Sequence, residues 1–377
     1  MKKVISLILL AVLLVSALCA FSGCGRSRYD LVLLTDSGGI NDRGFNQSLW
    51  DGMTEFAVEH DLDCRYFIPQ SKKHDDLVSQ LKNVAKEGAA VIVMSGRVYE
   101  TALYEVQRDY PDIKFVLIDG RPHAQDSQTP DIPSNTTSVM FATEQSGFLA
   151  GYAAVFDGIT NIGFIASAPD DDARAYGYGF LQGAEYAAKE NGTGVSASYQ
   201  YTGDNEKSDK NKQTAKTMYD EADLVFVCGG GIQDSVTEAA VEKRSYVVCA
   251  DTDRRYDSGA VITSAVKGVS GAVKLVLRSV FDMKDFEYSF GGKSTYFDAA
   301  NGGAGLASFV INDKNGDAFD RFYKFTRSDY EAILDKLSSG AVTVKRDINT
   351  ADPSGYVKSE ELSSGLGLEF VKVTVLQ

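Results

Sequence analysis

TDSGGINDRGFNQSLWDG, residues 35–52, follows the apolar run YDLVLL and carries two glycines, Gly38 and Gly39, ahead of Phe45, Asn46 and Gln47. A short apolar run, a glycine turn and an amphipathic stretch open a βαβ unit, and the paired glycines let the chain reverse sharply after the strand. The same stretch, from Asp36 onward, sets a flat ring and two side-chain amides at a helix start. In open α/β sheets small ligands bind outside the carboxyl ends of the strands, where loops and helix N-termini converge. Fold signature and candidate binding wall therefore coincide.

The alternation continues toward the C-terminus. Strands are predicted at 29–34, 63–68, 90–94, 114–118 and 137–141, with helices near 45–60, 75–87 and 99–108. A second series follows: helix 144–156, strand 161–165, helix 173–190, strand 195–201, helix 210–221, strand 224–227, helix 234–242, strands 246–250 and 261–263, and helix 268–281. Two such series predict an α/β chain with two similar lobes. Residues 287–377 read as short strands with one helix near 327–337, and the proline-bearing loop 121–134 as a surface excursion.

Toward the N-terminus, Lys2 and Lys3 precede an apolar run from 4 to 21 and then Ser22-Gly23-Cys24. That is the layout of a secretory signal rather than a spanning helix, and a small-small-Cys close resembles the bacterial lipobox. Residues 1–23 are expected to be a signal peptide, Cys24 the lipidated first residue and 24–28 a tether, on the outer face of the cell membrane. An ordinary signal peptide with an incidental cysteine is the alternative. Loss of 1–23 removes two lysines and no acid, moving the formal charge from −14 to −16. So acidic a body argues against nucleic acid as a partner. Cys64, Cys228 and Cys249 make no disulfide framework, and the last two, each closing an apolar run, read as small buried hydrophobes. There is no CxxC, and His60, His74 and His123 lack metal-ligand spacing, so neither metal nor cofactor is expected. The remaining length, about 350 residues, exceeds what one core usually supports, which favours two domains.

Several constellations have two readings. Phe45 is either a ring that stacks on a planar ligand, with Asn46 bonding its edge, or a core anchor beside a helix cap that Asn41 or Asp42 could supply. Asp119 and Asp251 each follow a buried strand, where a carboxylate can accept two hydrogen bonds from a vicinal diol or cap a helix. Gly229, Gly230 and Gly231 form either a tight turn or a close approach of backbone to ligand, and without GxGxxG or GK[ST] they are no phosphate loop. Ser264 and Lys267 show SxxK spacing, but after a strand, so Lys267 reads as a charged donor or a solvated lysine. Tyr176, Tyr178 and Phe180, after the acidic run 170–172, either close over a ligand or pack inside.

Seven strings then resemble, in order, the basic membrane protein family of substrate-binding lipoproteins, and within it the purine nucleoside receptors of ABC importers: the opening stretch, YPDIKFVLIDG, FATEQSGFLAGYAA, ADLVFVCGGG, VVCADTD, VITSAVKG and NGGAGL. The resemblance implies a type I periplasmic-binding-protein fold, two doubly wound Rossmann-like lobes joined by a three-strand hinge, with 29–141 and 262–310 in lobe 1 and 142–261 and 311–377 in lobe 2. It implies a ligand site in which Phe45 stacks on a purine, Asn46 and Asp119 lie on the base side, Asp251 holds the ribose diol and Lys267 assists at the sugar, with Asp36 also among the ligand-binding residues. Gly229 and Gly230 would let backbone approach, and Phe226, Tyr176 or Tyr178 would form the opposing wall. GFIASAPDDDARAYGYGF and GGGIQDS depart from the family pattern around that wall. The function implied is capture of a purine nucleoside (inosine, guanosine or adenosine class) for an ABC permease. Alternatives are a binder of a sugar or other polar metabolite, or a nucleoside-cleaving surface enzyme. No nucleophile, base and orienter set is recognisable, which favours a protein that is not an enzyme.

Overall fold

The computed structural model describes residues 29–41, 44–308 and 317–376. The expected signal peptide, Cys24, the tether and Asp42 lie outside them. The first sheet is built from β1 (Leu31–Leu34), β2 (Cys64–Phe67), β3 (Val91–Ser95), β4 (Lys114–Ile118), β5 (Thr136–Phe141) and β11 (Lys293–Phe297) in the order β11-β5-β4-β3-β1-β2. All its pairings are parallel. A parallel sheet is covered on both faces, and β1 shows why its run is apolar throughout. Leu31 and Leu33 pack toward α1 (Phe45–His60) and α8 (Val269–Phe281), while Val32 and Leu34 pack toward α2 (His74–Lys86) and α3 (Glu100–Val106).

The second sheet has the order β12-β10-β9-β8-β6-β7-β13. Its members are β6 (Asn161–Ala166), β7 (Val195–Tyr201), β8 (Leu224–Cys228), β9 (Tyr246–Asp251), β10 (Val261–Lys267), β12 (Ala304–Leu306) and β13 (Val371–Val375). Every pairing is parallel except β12 with β10. α4 (Thr143–Phe156) and α5 (Asp171–Asn191) cover one face, and α6 (Asp209–Met218) and α7 (Ile232–Lys243) the other. α4 and α5 cross at near-contact because Gly147 and Gly151 on one face Gly179 and Gly183 on the other; a Cβ at any of the four would strike a carbonyl oxygen of the partner helix. α9 (Phe286–Ser289), α10 (Arg327–Ser338) and α11 (Ser359–Leu366) complete the helices of the described residues. α11 answers to no predicted element, and β13 is one of the short strands expected within 287–377.

Two sheets make two lobes, and sheet membership divides the chain differently from the expected limits at 262 and 310. β10 and β12 hydrogen-bond in the second sheet, because Val261, Ile262 and Ala265 bury in that lobe's cores. The chain crosses between lobes at Ala142, at Gly268 and again between β11 and β12. The crossings are tied together: Ala142 N–H donates to Phe297 O (2.8 Å) and Gly268 N–H to Gly303 O (3.0 Å). Gly268 approaches the Gly302 carbonyl too closely for any Cβ. Ser146 Oγ donates to Val266 O (2.9 Å) and accepts from Gly305 N–H (3.1 Å).

Candidate functional site

A cleft of about 530 Å³ opens between the lobes, a volume suited to a small molecule. The loops after β1, β3 and β4 form one wall and those after β8 and β9 the other, with Lys267 at the end of β10 between them. All are carboxyl ends of parallel strands.

On the first wall, α1 starts at Phe45 with Gly44 at its N-cap and no side-chain cap, so the cap expected from Asn41 does not form. Phe45 is half-buried and lines the cleft beside Asn46, which is only 4 % exposed. Asp36 Oδ1 accepts from Gly38 N–H (2.9 Å) and from Asn46 Nδ2 (2.8 Å). Burial alone would raise the Asp36 carboxyl; the bonds from Gly38 and Asn46 hold it below its ordinary value. Asp36 thus closes the turn and aims Asn46.

Lys267 organises the centre. Its Nζ lies 2.5 Å from Asp119 Oδ2 of the first lobe, 3.1 Å from Asp172 Oδ2 and 3.1 Å from Asp251 Oδ1 of the second, and 5.6 Å from the centre of the Phe45 ring. Burying an ammonium is costly unless it is paired. Burial works against the Lys267 charge, but Asp119, Asp172 and Asp251 outweigh it and hold the pKa well above the ordinary lysine value. Asp119 is pushed up to about 7, by burial first and by Asp172 second. Burial would also raise Asp172, yet Lys267, Arg97 and Arg346 hold it well below the carboxylate range. Asp119 and Asp251 share one backbone device, a left-handed φ of 63° and 70°. This uncommon conformation for a residue with a Cβ falls just past the end of β4 and on the last residue of β9.

The second wall is polar. Gly229 has φ 135°, and the Gly230 N–H donates to Asn205 Oδ1 at 2.6 Å, so that part of the glycine turn is already engaged. Gln233 Oε1 accepts from Ala250 N–H (2.8 Å) and thereby joins α7 to β9. Arg254 is fixed by Asp234 (2.5 Å) and Asp257 (2.7 Å).

The expected aromatic wall lies elsewhere. Phe226, Tyr176 and Tyr178 are fully buried in the second lobe's core, because α5 is covered on several sides and the Phe226 ring meets Tyr176 edge-on at 5.5 Å. From inside that core Tyr176 still meets the site residues: its hydroxyl donates to Asp251 Oδ1 at 3.2 Å and its ring centre lies 6.0 Å from Lys267 Nζ. Ser264 Oγ accepts from Arg254 N–H (3.0 Å), while the Lys267 ammonium is paired with Asp119, Asp172 and Asp251. Cys228 and Cys249 are buried, as their runs suggested. Phe45, Asn46, Asp36, Asp119, Asp251, Lys267, Gly229, Gly230 and Gly231 are brought together on the cleft. Arg97, Asp172, Gln233 and Arg254 were missed by sequence reasoning. Arg97 and Arg254 stand two and three residues beyond strand ends, so the strand-end rule that found the aspartates reaches them too. Asp172 lay in a noted acidic run without a partner to single it out.

The family described as PnrA-like ABC transporter substrate-binding proteins matches residues 30–344. The chain is 29 % identical to the ABC transporter nucleoside-binding protein BmpA of Lactococcus lactis subsp. cremoris, over 81 % of this chain and 92 % of that one. It is 28 % identical to basic membrane protein A of Borreliella burgdorferi, over 83 % and 88 %. Among solved structures, an ABC transporter solute-binding protein from Aeropyrum pernix superposes with a TM-score of 0.69 at 22 % identity, covering 90 % of this chain and 98 % of that chain. That likeness shows the fold: two α/β lobes of the periplasmic-binding-protein type.

Proposed function

This chain belongs to the PnrA-like family of ABC transporter substrate-binding proteins, and from that premise we propose that it captures a purine nucleoside between its lobes and delivers it to an ABC permease. The observation that carries this reading is the pairing, in one cleft, of a ring and an amide on one lobe with strand-end carboxylates and an ammonium contributed by both. A nucleoside has those two halves. Phe45 stacks on the base and Asn46 bonds its edge, with Asp119 beside them. Asp251 accepts from the ribose hydroxyls and Lys267 donates to them. The glycine turn 229–231 lets the second lobe approach as backbone in place of the aromatic wall. The protein acts outside the cytoplasm, held by acyl chains on Cys24, and captures its ligand without covalent chemistry. Ligand contacts from both lobes stabilise the closed form over the open one, which is how such a hinge responds to ligand.

A thermal-shift series over nucleosides, free bases and free sugars tests the reading. A ligand at about 100 times its Kd stabilises by about 2.7 kcal/mol, so inosine, guanosine or adenosine should raise the melting temperature. No response to any nucleoside overturns the proposal, and a response confined to sugars transfers the site to a sugar. Release of hypoxanthine from inosine would replace binding by catalysis.

A further inference from the structure

We propose that Arg346 is a positioning residue for the cleft: through Asp172 it fixes the Lys267 ammonium at the seam of the lobes, so that the C-terminal segment tunes ligand capture. The inference rests on reading the cleft as the ligand site. Arg346 lies beyond the region matched by the family, which ends at residue 344. Its guanidinium nevertheless reaches the hinge. Nη1 donates to Phe141 O at the end of β5 (3.0 Å) and to Glu144 Oε2 in the first turn of α4 (2.6 Å), and Nη2 donates to Asp172 Oδ1 (3.2 Å). The guanidinium carbon stands 5.5 Å from the centre of the Tyr296 ring on β11. One side chain therefore grips the first lobe through Phe141 and Tyr296, and the second through Glu144 and Asp172.

The segment holds Arg346 in register. Gln182 of α5 exchanges two hydrogen bonds with the Lys345 backbone, both 2.9 Å, and Val342, Val344 and Ile348 pack on the second lobe's core. Asp172 is the node beyond it: one oxygen takes Arg346, the other takes Lys267 at 3.1 Å. Arg97 of the first lobe stands 3.9 Å from that second oxygen. The charged groups facing Asp172 are Lys267, Arg97 and Arg346, with Asp119, Asp251 and Glu144 as like charges nearby. A planar fork suits this geometry and a point charge does not. Without the fork, one oxygen of a largely buried carboxylate loses its charged donor. Its pKa then rises, and its hold on Lys267 changes.

The test compares the full chain with Arg346→Met and Arg346→Lys, each checked for folding by circular dichroism. The first readout needs no ligand: carbon-13 NMR titration of the Asp172 carboxyl should show it protonating at higher pH in Arg346→Met than in wild type. The second is inosine affinity by calorimetry from pH 5.5 to 8. Arg346→Met should bind roughly 2- to 30-fold more weakly, and Arg346→Lys should recover part of it. Unchanged Asp172 titration in Arg346→Met, or unchanged inosine affinity, overturns the relay. If Arg346→Met does not fold, Arg346→Lys combined with Asp172→Asn decides: non-additive losses support the relay and additive ones overturn it. Wild-type protein that ignores inosine ends the nucleoside reading alone, because the ligand-free titration still tests Arg346 and Asp172.

Discussion

Lys267→Met removes the one ammonium that three carboxylates share, at a side chain that is 4 % exposed. Methionine keeps the length of the stem, so packing changes little and the charge is what is lost. Removing one partner of a buried ion pair typically destabilises by about 3–5 kcal/mol, because the other charge is left uncompensated. Here the uncompensated group is a cluster of Asp119, Asp172 and Asp251, which places the expected loss in that range at pH 8. The loss must depend on pH. A carboxyl whose folded pKa lies above its unfolded value favours the folded state when protonated, and stability falls as pH rises from the unfolded to the folded pKa. Asp119 already behaves this way between 3.8 and about 7. Asp172, held low, does the opposite: it adds stability above 3.8 that is lost as pH falls. Without Lys267 both pKa values move up, so both carboxyls take protons readily on acidification, and the penalty of the variant shrinks toward pH 5. Urea denaturation of ligand-free protein at pH 5 and pH 8, followed by circular dichroism and by the single tryptophan, Trp50, measures this. A difference from wild type that is equal at the two pH values, or below about 1 kcal/mol at pH 8, refutes the reasoning.

Phe45→Ala should weaken nucleoside binding by roughly 0.5–1.5 kcal/mol, the worth of an aromatic stack, while leaving any free-sugar affinity unchanged in calorimetry. Tyr178→Phe removes a buried hydroxyl that has no partner among the described residues and whose pKa burial pushes up to about 12. It should therefore be neutral or stabilising in a melting experiment and silent in ligand affinity, whereas a cleft-wall role would show as lost binding. Gly183→Ala drives a Cβ into the Phe148 carbonyl and should cost about 1–3 kcal/mol by thermal denaturation.

Local patterning made much of the fold legible. Helix Phe45–His60 and strands Lys114–Ile118 and Val195–Tyr201 fall on their predicted limits, since each has a strong period and a clear turn at its ends. α11 was invisible, and β13 was legible only as one of several unplaced short strands, for the opposite reason. VKVTV is a short alternating run at the chain's end, and SEELSSGL is polar and glycine-bearing; each gains its structure from the lobe it docks on, β13 from β7. The place of β10 could not be read either, because pairing partners are a tertiary fact. In the site, strand-end aspartates and glycines were visible by position alone. Tyr176 and Tyr178 were not separable, because two residues apart on a helix they cannot both face one cleft, and the glycine-tight crossing of α4 and α5 buries both.

The position of Lys267 joins hinge and site in one piece of chemistry. It ends β10, whose sheet belongs to the second lobe, and Gly268 then carries the chain back to the first. Two of its carboxylates, Asp172 and Asp251, move with the second lobe, while Asp119 moves with the first. Parting the lobes therefore draws Asp119 away from the ammonium and admits water to both, whereas closing them returns a charge pair to low dielectric, where its strength and its desolvation cost both increase. A ligand whose hydroxyls can bond Asp251 and Lys267 supplies donors and acceptors at that seam in place of the water that closure expels. If the cleft takes the ligand as proposed, the same lysine senses both the ligand and the hinge angle, and a substitution that frees it from Asp119 or Asp172 should loosen both together.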